Sequence, residues 1–113
     1  MKFFSTVFAP MTLGLGLVAL AAPAQAEAPG LFYSWRSLDT SVTQCVTQAE
    51  TAMVTVALDN INVEPTSVAG RTEDSTALIV CLDNGADTTV MVIVSGDDEE
   101  EAIEIREALK RAF

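Results

Sequence analysis

The placement of the two cysteines, Cys45 and Cys81, constrains the fold of this chain more than any other feature. Cys45 lies in a helical repeat: Val42, Cys45, Val46, Ala49, Ala52, Met53, Val56 and Ala57 follow the i, i+3, i+4, i+7 spacing of one apolar face, running through to Leu58. Cys81 lies in a β-rich run from Thr76 to Leu82. A bond between the two pins that helix onto a sheet. Alternation along the strand then turns Ala77, Ile79 and Cys81 toward the helix, and Leu78, Val80 and Leu82 to the opposite face.

Whether the bond forms depends on compartment. Lys2 gives a small positive start, and Phe3 to Ala26 carry no charge, with the apolar run Leu13 to Leu20 inside. This is the form of a secretory signal. Ala24 and Ala26 are small residues at the positions a signal peptidase reads, and Glu27 begins a different composition, so cleavage is expected after Ala26. The rival reading is an uncleaved anchor, since about 20 apolar residues cross a bilayer. Against it, residues 21–26 are Ala, Pro and Gln, and no Lys or Arg follows as a stop. A lipid anchor needs a cysteine where Glu27 stands. The expectation is a signal peptide at residues 1–26, one domain at residues 27–113, and a periplasmic or secreted location where Cys45 and Cys81 oxidise to a disulfide.

Removing 26 residues from 113 leaves 87, a chain that buries only about 60–65% of its unfolded surface. Sixteen carboxylates against Arg36, Arg71, Arg106, Lys110 and Arg111 give those residues a net charge of −11. That balance argues against nucleic acid and anionic membranes, which attract clustered Lys and Arg.

Along the domain, Leu31 to Leu38 reads as a first strand carrying Phe32, Tyr33 and Trp35; in a domain short of apolar bulk, Trp35 is assigned to the core. Ser41 with Gln44 is the capping-box pattern that opens the helix. Asn60 and Asn62 end it, and Pro65 blocks its return. Thr66 to Arg71 is a second strand, and Thr76 to Leu82 and Thr88 to Val94 form a hairpin around Asp83-Asn84-Gly85-Ala86-Asp87, where Asn-Gly favours positive φ. Asp97 to Glu101 open a second helix with apolar positions Ala102, Ile105, Leu109, Ala112 and Phe113. The order is β-α-β-β-β-α. The expected class is α+β: a two-layer sandwich with a four-stranded, mainly antiparallel sheet, two helices on one face, and one disulfide.

Two helices on one face leave the other uncovered. Leu78, Val80 and Leu82, with either Val90, Val92 and Val94 or Met91 and Ile93, then form an apolar surface that would meet another copy, another protein or an apolar ligand. The alternatives are that the first strand, the N-terminal tail or a split of the helices between faces covers it.

Catalytic chemistry finds little support. The chain has no histidine, which removes the commonest general base and metal ligand. The cysteines are taken up by each other, and Gly70, Gly85 and Gly96 are isolated rather than a phosphate loop. Paired carboxylates could run a small hydrolase, which needs a cleft. Calcium is a further alternative, with weak candidates Asp83 and Asp87 in the hairpin loop and Asp97 and Asp98 before the last helix. The loop lacks the EF-hand glycine and closing glutamate, replaced by Thr88 and Val94. Thr43, Thr47, Thr51 and Thr55 form a stripe that resembles the threonine ladders of ice-binding helices; on one short helix it reads as a polar solvent face. The sequence therefore points to an exported, non-enzymatic binding module with no cofactor. Its partner is an unknown protein or apolar ligand, or a second copy.

Overall fold

The computed structural model describes residues 28–113; the signal reading of residues 1–26 lies outside that span. In chain order the elements are β1 (Gly30–Leu38), α1 (Val42–Thr55), β2 (Asp59–Glu64), β3 (Ser67–Arg71), β4 (Ser75–Asp83), β5 (Thr88–Gly96) and α2 (Glu99–Lys110). The fold is α+β with a fully antiparallel sheet of five strands, ordered β1-β5-β4-β3-β2.

The expectation of four strands is corrected by β2, Asp59–Glu64, which occupies residues assigned to a helix end and loop. Asn60 and Asn62, expected to end α1, do not do so; they lie within this strand. The helix ends earlier, at Thr55, through a Schellman arrangement: Leu58 N–H donates to Met53 O at 3.0 Å and Ala57 N–H to Val54 O at 3.0 Å. Ala57 takes the left-handed conformation, φ 66°, that this ending requires.

α1 opens as its sequence dictates. The Gln44 amide donates to Ser41 Oγ at 3.1 Å, and the Ser41 amide donates to Gln44 Oε1 at 3.1 Å. α2 is capped by Asp98, whose carboxylate accepts from the Glu101 amide at 3.1 Å, with Glu99, Glu100 and Glu101 in its first turn and Lys110 in its last.

Both helices lie on one face. β4 and β5 bury alternate residues: Ser75, Ala77, Ile79 and Cys81, and Thr88, Val90, Val92 and Val94. Cys45, Ala49, Met53, Ala102, Ile105 and Leu109 pack onto them. Across this layer Cys45 and Cys81 are joined in a disulfide, with Cα atoms 6.1 Å apart and both residues fully buried. Gly70 lets α1 sit close to β3, since a Cβ there would lie 3.1 Å from Met53 Sδ and from Leu58 Cβ. Two hydroxyls complete the layer: Ser75 Oγ donates to Glu101 Oε1 at 3.1 Å, and Thr88 Oγ1 to the Thr40 carbonyl at 2.6 Å.

The β4–β5 loop is shorter than the five residues expected, with Asp83 paired to Thr88. Gly85 alone of the Asn84-Gly85 pair has positive φ, at 100°. Asn84 Oδ1 closes the loop by accepting from the Ala86 and Asp87 amides at 3.2 and 2.7 Å.

Candidate functional site

The register of the sheet defines what its second face carries. Cα partners on neighbouring strands share a face, so Trp35, Met91, Val80 and Ser67 form one row across β1, β5, β4 and β3. Tyr33, Ile93, Leu78 and Ala69 form the next. Leu31 heads a third row with Ser95, Thr76 and Arg71, and Leu82 lies beside Thr89 and Ser37. All are of opposite parity to the residues beneath the helices. The choice left open between two sets on β5 falls to Met91 and Ile93, because Val90, Val92 and Val94 are buried in the helix layer.

Leu78 and Val80 are half-buried by their neighbours within the sheet, and Leu82 is 46% exposed. The larger part of the face comes from β1. Trp35 is 61% exposed, Tyr33 60% and Leu31 64%, so the assignment of Trp35 to the core is corrected. The helix-side positions of β1 go instead to Phe32, Ser34, Arg36 and Leu38. Phe32 and Leu38 join the core, and Arg36 Nη1 donates to the Phe113 main-chain oxygen at 2.6 Å. Period-two alternation carried this signal, since Leu31, Tyr33 and Trp35 share one side of the strand.

Between β1 and β3 the face holds no acidic group. Its charged residues are Arg71 and, beyond it on β2, Asp59 and Glu64. Acids crowd elsewhere, along α2 and in the loops at both ends of the sheet. On α2, Glu107 sits between Lys110 Nζ and Arg106 Nη2, at 3.1 and 2.9 Å. The Lys110 ammonium first, and the Arg106 guanidinium with it, hold its carboxyl below the usual carboxylate range.

The calcium candidates are not brought together. Asp83 and Asp87 flank the loop before β5, whereas Asp97 and Asp98 follow its other end. Nine strand residues separate them, about 30 Å at 3.3 Å per residue. Asp83 Oδ1 accepts from the Gly85 amide at 2.8 Å and Asp98 caps α2, so both carboxylates serve local turns. Among the described residues no group of three or more acids or cysteines gathers at metal-binding distance. Thr43, Thr47, Thr51 and Thr55 are all exposed on α1, and Thr47 Oγ1 donates back to the Thr43 carbonyl at 3.1 Å.

A cavity of about 50 Å³ lies between β1, β5 and the end of α2, lined by Ser34, Val90, Val92, Lys110 and Phe113 among others. That is well below the roughly 300–1,000 Å³ of sites for small ligands. Open hollows on the helix side do reach that range, among them one of about 400 Å³ between α1 and α2 beside Thr51, Val56 and Ala112, and one of about 490 Å³ along α2 beside Ile103 and Glu107. The chain matches no model of a known protein family and no curated protein. Among the described residues no helix is long and apolar enough to cross a membrane.

Proposed function

We propose that the chain is an exported, non-enzymatic binding module that works through the helix-free face of its sheet. The observation that carries this reading is the exposure of Trp35 and Tyr33, at 61% and 60%, beside Leu78, Val80, Met91 and Ile93. Apolar patches of more than a few hundred Å² on a soluble domain mark a partner surface. The buried Cys45–Cys81 disulfide supports a location outside the cytoplasm, where such bonds persist. The chemistry of the rest favours binding over catalysis: the chain has no histidine, and the face positions from β1 to β3 carry no carboxylate.

The test is binding of a hydrophobic fluorescent dye to the folded, exported chain, with Leu78→Glu as the variant. Dye binding, measured at a dilution where the chain is monomeric, that falls at least about fivefold in Leu78→Glu, with circular dichroism and melting retained, supports the reading. A folded wild-type chain that stays monomeric and binds no dye would sink it.

A further inference from the structure

We infer that the occupant of this face is a second copy of the chain, packed sheet to sheet about a two-fold axis that runs along the strands between β4 and β5. The inference rests on the binding reading above and adds to it the partner and the geometry.

The first ground is relief. Side chains descend in size across the face: Trp35 and Tyr33 on β1, Met91 and Ile93 on β5, Val80 and Leu78 on β4, and then Ser67 and Ala69 on β3. A two-fold axis parallel to the strands, placed between the middle pair, lays β1 of one protomer over β3 of the other, and β5 over β4. In the two central rows tall residues then meet the low shelf, with Trp35 above Ser67 and Tyr33 above Ala69, while at the end of the sheet Leu31 lies over Arg71, whose charge can reach solvent at the rim. Each protomer supplies both knob and shelf, as an isologous interface requires. Sheets packed this way lie about 10 Å apart, which aromatics on one side and small residues on the other can fill.

The second ground is area. A whole aromatic side chain presents about 150–250 Å², so the exposures of Trp35 and Tyr33 leave on the order of 250 Å² open. Leu31 at 64% and Leu82 at 46% exposure, with the half-buried Leu78, Val80, Met91 and Ile93, raise the face to on the order of 600 Å². Two such faces together reach about 1,200 Å², where stable specific interfaces begin.

The third ground is charge. Residues 27–113 carry a net −11, which opposes self-association through most surfaces. This face is the exception, free of acids from β1 to β3. Sheet-to-sheet packing turns both α2 helices outward, further apart than the sheets themselves and beyond the Debye length of about 8 Å at physiological salt. The two acidic helices are then screened from each other.

Sedimentation equilibrium on the full chain recovered after export tests this, and Trp35, the only tryptophan, reports on the interface by its fluorescence. The expected result is a dimer whose emission shifts to the red on dilution. Ala69→Glu, far from β1 in sequence and position, should weaken dimerisation at least about tenfold with an unchanged far-ultraviolet spectrum, and Leu78→Glu should do the same. A dimer indifferent to Ala69→Glu pairs elsewhere, for example along the free edge of β1, and overturns the inference. A monomer that binds hydrophobic dye, and loses it in Leu78→Glu, also overturns it while leaving the binding reading standing; a monomer without dye binding sinks both.

Discussion

Ala57 shows how a single residue can work against the arrangement it belongs to. The end of α1 needs a residue with φ near +60°, and the sequence supplies alanine where glycine is usual, at φ 66°. An L-residue in this conformation costs about 1–2 kcal/mol, partly offset because glycine has more freedom to lose on folding. Ala57→Gly should therefore stabilise the domain by about 0.5–1 kcal/mol and raise its melting temperature by about 2–8 °C, read by circular dichroism. An unchanged or lower midpoint would mean the exposed Ala57 side chain makes contacts that offset its backbone cost. The same scale explains Trp35. Residue type argues for burial, but strand period decides which side a residue takes, and on β1 the more apolar side faces away from the helices. Nothing in β1 itself says which side the helices take; that is fixed by Cys81 and by the register that carries its parity through β5 to β1.

Among the elements, those with a buried side were legible and β2 was not. α1, β4, β5 and α2 each show a full apolar periodicity because each buries a face. β2 is an edge strand whose residues are nearly all exposed, and its register slips between Asp59 and Asn62, with Asn60 at φ 54°. A bulge in an exposed strand removes both the alternation and the hydrophobic signal that would mark it. For the candidate face, parity read from Cys81 gave the β4 third, Leu78, Val80 and Leu82, while the β1 contribution was obscured by the bias toward buried aromatics. Charge on α2 makes a separate, measurable statement. Glu107 titrates below its unfolded range because Lys110 and Arg106 bond to its charged form. A lowered folded value stabilises above the unfolded pKa, near 4.5, and that contribution is lost as pH falls through the folded value. Glu107→Gln should accordingly lower the melting temperature slightly at pH 7 and by nothing at pH 2. The side chain is 43% exposed, so the difference at pH 7 should also shrink in 1 M salt. A deficit that persists at pH 2 would assign the loss to packing rather than charge.

At the scale of the whole molecule, one layer of helices must hold a five-stranded sheet whose other side it never touches. The core is correspondingly thin, and the disulfide crosses it at its centre, from α1 to the middle strand β4. The bond closes a loop with a sequence separation of 36, which restricts the unfolded chain by about 4 kcal/mol in the loop-entropy account. At roughly 0.05–0.15 kcal/mol per residue the domain as a whole holds about 4–13 kcal/mol, so the bond is a large fraction of the total. The double variant Cys45→Ala/Cys81→Ala should therefore melt about 15–30 °C lower. It should also lose the exposed-face properties with the fold, because α1 sets the parity that leaves Leu78 and Trp35 on the far side. A fall of less than about 5 °C would mean that Met53, Ala49 and Val46 hold α1 by packing, with the bond redundant. Both cysteines are fully buried, so in the native protein a reductant reaches the bond only through opening of the fold. Thiol release should then follow unfolding in its denaturant dependence; release that is fast and independent of denaturant would place the opening in α1 alone, and with it the weakest seam of the molecule.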